Sequence, residues 1–216
     1  MTGLAPKTHK VFDAVCSLTC IQEYVLVGGT ALSIQINHRL SEDLDFCKWP
    51  ASSSVSSGIP FKKIEQELKS KFENVLTNPI DFDQADYMLN DVVKLQFFND
   101  VGYTLPTTDF VPSQGNLKLA PVSLISAMKI KTMFQRTAFR DYYDIYVIVK
   151  EGHLTLPKLI DLACIYNDKL RPSTIINRLT AHEKFKEEKN FGLLKPRYIV
   201  SCKEIGSFFS GAQETL

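Results

Sequence analysis

Residues 27–46 read VGGTALSIQINHRLSEDLDF and contain most of the information about the architecture of this chain. A short apolar segment, residues 24–27, predicts one strand, and residues 40–48 predict a second. The glycine pair follows the first strand, and the composition of residues 30–38 predicts a helix that opens at the glycines. The stretch therefore predicts a strand, a glycine turn, a helix and a second strand.

Two carboxylates lie one residue apart in the second predicted strand. Because residues i and i+2 of a strand point to the same face, Asp43 and Asp45 should stand side by side while Leu44 and Phe46 face the core. Carboxylate oxygens suit Mg²⁺, and such a pair can share two metal ions in phosphoryl chemistry. We therefore expect Asp43 and Asp45 to bind Mg²⁺.

The Gly28-Gly29 turn predicts a phosphate site. Backbone without a Cβ can approach a phosphate closely, and the first N–H groups of a helix favour an anion. We expect the triphosphate of a nucleotide here, with Arg39 and Ser41 as further nucleotide-binding candidates. His38 is either a phosphate contact or a capping and packing residue.

A second polar block, AMKIKTMFQRTAFRDYYDIY, covers residues 127–146. Lys129 can neutralise triphosphate charge, and Asp141 and Asp144 are close to one helical turn apart, so they share a helix face. The alternative is a surface helix with ordinary ion pairs at Arg140 and Asp144.

The chain changes character after Ala120. Strand candidates dominate before it, and helical segments follow at residues 121–135, 140–150, 156–168, 172–185 and 195–209. We predict an α/β (α+β) fold, with a mixed sheet flanked by helices in residues 1–120 and an all-helical C-terminal lobe in residues 121–216. The serine-rich residues 49–60 predict a mobile surface loop, a candidate lid beside the carboxylates.

Charge and composition restrict the class of protein. Residues 1–120 carry 10 Lys and Arg against 14 Asp and Glu, and residues 121–216 carry 15 against 10. An acidic half beside a basic half suits metal-binding carboxylates facing cations that hold a polyphosphate or RNA, although a solvated basic surface is the alternative. The five cysteines form no C-x-x-C pair, and no apolar run approaches the roughly 18 residues of a membrane span. We expect a cytoplasmic protein with no membrane partner.

Both blocks resemble those of a known family. V-G-G-T-A-L followed by H-R-x-S-x-D-x-D-F, and then the block with Lys129, Arg136, Arg140-Asp141 and Asp144, are similar to the AbiEii/AbiGii-type toxin nucleotidyltransferases of the DNA polymerase beta-like superfamily. The resemblance implies a nucleotidyltransferase lobe in residues 1–120 that uses Mg²⁺ to move a nucleoside monophosphate from an NTP to an acceptor. It also implies catalytic roles for Asp43, Asp45, Lys129 and Asp141, and a nucleotide contact for Arg136.

The same resemblance implies a biological setting. Members act as toxins of toxin–antitoxin or phage-defence pairs, so a cognate antitoxin is an expected partner. The expected acceptor is tRNA or another RNA. A small-molecule acceptor is the alternative that keeps the fold.

One position departs from the superfamily pattern. A third carboxylate generally lies on a neighbouring strand, and the matching residues 91–98 should place Val93, Leu95 and Phe97 on one face with Lys94 and Gln96 on the other. Gln96 then takes the acidic position, and an amide cannot act as a base. Either one metal and a substrate oxyanion suffice, or Asp91, Asp86 or the Asp141 helix supplies the missing charge, or the chain is a catalytically silent module that binds a nucleotide or a partner.

Overall fold

Seven strands form one mixed sheet in the computed structural model, which describes residues 2–50, 58–186 and 188–213. The order across the sheet is β3-β4-β5-β2-β1-β7-β6. β2 pairs in parallel with β5, and β1 in parallel with β7, while the other neighbours are antiparallel. The strands are β1 (Val25–Val27), β2 (Leu44–Lys48), β3 (Val75–Pro79), β4 (Gln84–Leu89), β5 (Val93–Asn99), β6 (Val111–Pro112) and β7 (Lys118–Leu119).

The helices complete the mixed fold that the sequence predicts, and the α/β (α+β) class is confirmed. They are α1 (Pro6–Cys16), α2 (Gly28–Ile36), α3 (Phe61–Lys69), α4 (Val122–Gln135), α5 (Phe139–Lys150), α6 (Leu156–Tyr166), α7 (Pro172–Thr180) and α8 (Cys202–Gln213), with short 3-10 turns at His182–Lys184 and Phe191–Leu194. None of the described helices is both long and apolar enough to cross a membrane.

Several predicted boundaries are too wide. The second strand begins at Leu44 rather than at residue 40, and the last helix begins at Cys202 rather than at residue 195. Lys195 has a φ of 48°, in the left-handed region, so a helix cannot run through it. The two-residue strand β6 is too short to give a periodic pattern.

Contacts between Cα atoms divide the chain into two compact units. The first contains Met1–Tyr103 with Thr108–Pro121, and the second contains Thr104–Thr107 with Val122–Leu216. The roles given to residues 1–120 as the catalytic lobe and to residues 121–216 as the helical lobe stay predictions. Residues 51–57 of the predicted lid lie outside the described residues.

An aromatic cluster in the first unit fixes the orientation of the central strands. The fully buried ring of Phe97 stacks on Phe46 at 5.0 Å between centroids and meets Tyr24 and Tyr87 edge-on at 5.0 and 5.8 Å. Phe97 lies on β5 and Phe46 on β2. Since side chains alternate along a strand, the residue before each of them faces the opposite side of the sheet.

Replacement of Phe97 by Ala should lower the free energy of unfolding by about 3–5 kcal/mol, because it leaves a cavity against three rings. Equilibrium urea unfolding measures the change. Leu76→Ala is the matched control, since Leu76 is 58% exposed on the edge strand β3, and it should change stability by less than about 0.5 kcal/mol. Equal effects of the two substitutions would contradict this description of the core.

The second unit is organised around α5. Tyr142 stacks on Phe185 at 3.7 Å, and Tyr143 packs against Phe191 at 4.9 Å. Both tyrosines are fully buried and Tyr146 is 4% exposed. These rings therefore belong to the core of the unit.

Candidate functional site

The carboxylate of Asp45 lies against the backbone at the start of α2. In the antiparallel β1–β2 pair Val27 is opposite Asp45, and α2 begins at the next residue, Gly28. Gly28 has a φ of 68°, and a Cβ built on it would lie 2.5 Å from Asp45 Oδ2. Both the backbone conformation and the close approach require glycine here.

Two further predicted site residues, Arg39 and Ser41, lie beside Gly29. A Cβ built on it would lie 2.6 Å from Arg39 Nη2 and 3.0 Å from Ser41 Oγ. Arg39 is 4% exposed and Ser41 7%, and Arg39 Nη1 donates to the carbonyl of Leu40 at 3.0 Å. Five predicted residues are thus brought together at the start of α2: Gly28, Gly29, Arg39, Ser41 and Asp45.

Thr30 is a site residue that the sequence prediction missed. Its fully buried hydroxyl lies 2.9 Å from Ser41 Oγ and donates to the main-chain oxygen of Asp43. Thr30 therefore connects the glycine turn to the segment that carries the carboxylates. Its position directly after the two glycines was the available signal.

The N-terminal segment is hydrogen-bonded to the residues just before Asp43. Ser41 N donates to the Gly3 carbonyl at 3.0 Å, and Ala5 N donates to the Ser41 carbonyl at 2.9 Å. The buried hydroxyl of Thr8 donates to the Glu42 carbonyl at 2.6 Å. These bonds join residues more than 30 positions apart in the chain, and no pattern of side chains predicts such a pairing.

Asp43 lies one residue before β2 and is exposed. Leu44 and Phe46 are buried, at 0% and 1% exposure, and Asp45 between them is half-buried. The prediction that Leu44 and Phe46 face the core is confirmed. The two acidic residues offer hard oxygen donors that fit Mg²⁺. In the part of the chain that the structure describes, no group of three or more His, Cys, Asp or Glu is placed to hold a metal ion.

Gln96 is the neighbour of Asp45 across the sheet. The parallel β2–β5 register pairs Asp45 with Gln96, and the antiparallel β4–β5 register pairs Gln96 with Asp86. Gln96 Nε2 donates to Asp86 Oδ1 at 2.8 Å, and Lys94 Nζ lies 3.0 Å from Asp86 Oδ2. Asp91 lies outside this row, in the β4–β5 turn, where it accepts from Asn74 Nδ2 at 2.7 Å.

Lys129 is the centre of a buried charge cluster in the second unit. Its Nζ lies 2.6 Å from Asp141 Oδ1 and 2.8 Å from Asp144 Oδ2, and Arg136 Nε donates to Asp141 Oδ2 at 2.8 Å. Both aspartate side chains are fully buried. The shared face of Asp141 and Asp144 is confirmed, and the alternative of an ordinary surface pair at Asp144 is wrong. Arg140 forms a separate ion pair, with Glu188.

The cluster keeps Asp141 ionised. Burial by itself raises the pKa of Asp141, but the charge of Lys129 and the hydrogen bonds from Arg136 and Lys129 outweigh it and hold this pKa below its usual value. Two cations face two carboxylates, so the cluster is balanced in formal charge. Arg136 differs from the others because its side chain remains 57% exposed.

Comparison with known proteins identifies the family of the chain. A family model described as "Nucleotidyl transferase AbiEii toxin, Type IV TA system" matches residues 19–195, which include both polar blocks. The uncharacterized protein aq_aa25 of Aquifex aeolicus (strain VF5) is 26% identical over 190 residues, which are 87% of each chain. The chain belongs to the AbiEii family of nucleotidyl transferase toxins.

Gly28→Ala should destabilise the first unit more than Gly102→Ala does. Both glycines have positive φ, at 68° and 82°, but a Cβ at Gly102 would meet no atom within 4 Å. Both variants therefore carry the left-handed strain of about 1–2 kcal/mol, and Gly28→Ala should lose about 1–3 kcal/mol more, because Asp45 must move. Urea unfolding measures the difference, and equal losses would refute the close approach.

Asp141→Asn should lower the free energy of unfolding by about 3–5 kcal/mol near neutral pH, because it leaves buried Lys129 short of a partner. The folded pKa of Asp141 is depressed, so its stabilisation is fully present above the ordinary carboxyl pKa of about 4 and is lost as pH falls through the lower folded value. The difference in the free energy of unfolding between wild type and Asp141→Asn should therefore become smaller in acid.

Glu188→Gln is the control for this prediction. It removes the partly exposed partner of Arg140 and should cost about 0–1 kcal/mol. Urea unfolding as a function of pH measures both variants. An Asp141→Asn effect as small as that of the control would contradict the proposed strength of the cluster.

Proposed function

We propose that this chain transfers a nucleoside monophosphate from an NTP to an acceptor with the help of Mg²⁺. One observation carries the proposal: a strand carboxylate, Asp45, lies against a glycine turn that opens a helix, with Arg39 and Ser41 at the next residue. Membership of a nucleotidyl transferase family supports the same chemistry. Each part of the site has a definable task in that reaction.

The glycine turn binds phosphate in this proposal. The first N–H groups of α2 lack partners within the helix, and the positive end of the helix dipole favours an anion. Arg39 adds a permanent positive charge at Gly29, where its Nη2 lies 2.6 Å from the position that a Cβ would take. Ser41 contributes a hydroxyl that Thr30 holds in place.

Asp43 and Asp45 hold the Mg²⁺ in this proposal. A bound Mg²⁺ would supply neutralisation of the charge that develops on the phosphates, and the two carboxylates would hold it. Gly28 leaves the space that the Asp45 carboxylate occupies beside the start of α2, so this carboxylate would be positioned before the ion binds. Asp43 adds the second carboxylate from the solvent side.

Lys129 and Asp141 are the proposed catalytic residues of the second block, with Arg136 as a nucleotide contact. Asp141 positions Lys129 and Arg136, since its Oδ1 accepts from Lys129 Nζ and Arg136 Nη2 and its Oδ2 accepts from Arg136 Nε. In this proposal the exposed side of the Arg136 side chain faces a phosphate while its Nε stays bound to Asp141. A guanidinium has five donors, so it can serve both partners at once.

The acceptor in this proposal is tRNA or another RNA, and the biological role is the toxin of a toxin–antitoxin pair in the cytoplasm with a cognate antitoxin as partner. The description of the matched family, a type IV toxin–antitoxin system, supports that role. The rival function is nucleotide binding without transfer, which the amide of Gln96 beside Asp45 favours. Transfer to a small molecule uses the same site residues.

The test incubates the purified chain with each α-³²P-labelled NTP, Mg²⁺ and total tRNA. Wild type should label tRNA, and Asp43→Asn/Asp45→Asn should lower the rate about 100-fold or more, because metal ligation contributes several kcal/mol to the transition state. Asp81→Asn/Asp83→Asn is the matched control, since it changes the same charge in the other D-x-D sequence of this unit.

Three outcomes separate the candidates. Labelling of tRNA that is lost in Asp43→Asn/Asp45→Asn and retained in Asp81→Asn/Asp83→Asn supports the proposal. Label on a small molecule supplied in place of tRNA identifies the other kind of acceptor. Mg²⁺-dependent NTP binding without transfer to any acceptor would replace the proposal by the binding-only function.

A further inference from the structure

We propose that Gln96 is a neutral third ligand of the metal site and that Asp86 and Lys94 orient it. The inference rests on the proposed function, because it assigns a residue to the metal on Asp43 and Asp45. It differs from the superfamily pattern, in which a carboxylate occupies this position. The amide oxygen of Gln96 is the ligand atom.

The sheet registers place the three side chains in one row. Asp45, Gln96 and Asp86 are directly opposite one another on β2, β5 and β4. Residues that face each other across a ladder point to the same side of the sheet. Neighbouring strands lie about 4.8 Å apart, so Gln96 stands between the two carboxylates within reach of both.

The hydrogen bond to Asp86 determines which end of the amide faces Asp45. An ionised carboxylate only accepts hydrogen bonds, so the NH₂ group of Gln96 must face Asp86, as the 2.8 Å contact has it. The amide oxygen is then the end of Gln96 that is left to serve as the ligand in this proposal. A carbonyl oxygen is a hard donor of the kind that Mg²⁺ and Mn²⁺ accept.

Lys94 completes the arrangement. Its ammonium lies 3.0 Å from the second oxygen of Asp86, so each oxygen of that carboxylate has a different partner. The charge of Asp86 is thereby compensated by Lys94, and Asp86 acts on the metal only through Gln96. Outer partners of this kind fix the orientation of a ligand and tune its affinity for the ion.

A neutral ligand changes the electrostatics of the site. Asp43 and Asp45 together bring two negative charges, which match one divalent cation, while a third carboxylate would leave an excess. The described residues contain no third His, Cys, Asp or Glu placed to complete a cluster with them. The amide supplies the missing oxygen without added charge.

The test measures Mn²⁺ binding to the purified full-length chain by electron paramagnetic resonance of the free ion, without substrate. Gln96→Met keeps the length of the side chain and removes the oxygen, and Gln96→Asn keeps the amide and withdraws it. Both should raise the Kd for Mn²⁺ about 10-fold or more, and Asp86→Asn should raise it about 10-fold, because the amide loses its fixed orientation.

A double substitution tests the pair with its polarity reversed. In Asp86→Asn/Gln96→Glu the amide introduced at position 86 can donate to the carboxylate introduced at position 96. Because position 96 then contributes a charged oxygen to the metal site, this variant should bind Mn²⁺ more tightly than Asp86→Asn alone. Lys62→Met, on the outer surface of α3, is the control and should leave the Kd unchanged.

The outcomes separate this inference from the proposed function. Loss of Mn²⁺ binding in Asp43→Asn/Asp45→Asn together with wild-type Kd values in both Gln96 variants would overturn the role of Gln96 and leave the metal site standing. Unchanged binding in Asp43→Asn/Asp45→Asn would overturn the metal site itself. Thermal unfolding without Mn²⁺ verifies that each variant is folded, and two different Gln96 changes keep the test decisive if one fails to fold.

Discussion

The contact between Asp45 and the backbone of Gly28 is the constraint on which the site depends. A carboxylate can approach the first turn of a helix this closely only when that residue has no side chain. The antiparallel register of β1 and β2 places Asp45 opposite Val27, the last residue of β1. Because α2 begins at the next residue, the start of the helix lies beside Asp45. The return of the chain after α2 then brings Arg39 and Ser41 to Gly29. The backbone that we propose to bind phosphate and the oxygen that we propose to bind the metal are thus positioned by the same few bonds.

Much of this local geometry could be predicted from the sequence, because it depends on short-range rules. Alternation along a strand predicted the burial of Leu44 and Phe46, and two glycines after an apolar strand predicted where α2 opens. The contacts that were missed join different elements of the fold. The bond from Thr8 to the Glu42 carbonyl spans 34 residues, and the bond from Gln96 to Asp86 crosses from β5 to β4. Neither leaves a period or a spacing in the sequence that could be recognised.

The second polar block shows a different limit of sequence-based prediction. A helix with Lys, Arg and Asp at short spacings has the composition of a solvated surface, yet α5 is buried and its two aspartates are fully enclosed. Burial of so many charges is tolerated because each carboxylate has a cation and the formal charges cancel. Within the cluster of Lys129, Arg136, Asp141 and Asp144, Arg136 alone keeps a large exposed fraction. A pattern identifies the residue types, but the partners that each charge finds decide whether it lies in the core or in water.

The strand order has a consequence for how the protein is made. β1 and β2 form a hairpin-like pair around α2, but their outer neighbours are β7 and β5, which follow much later in the chain. Parallel pairings of this kind must wait until both strands exist, and closing long loops slows folding. On the ribosome, the sheet cannot close around β1 and β2 until residues up to 119 have emerged. A nascent chain interrupted before that point would carry the glycine turn and both carboxylates without the sheet that supports them, so synthesis of a partial chain would yield an inert product.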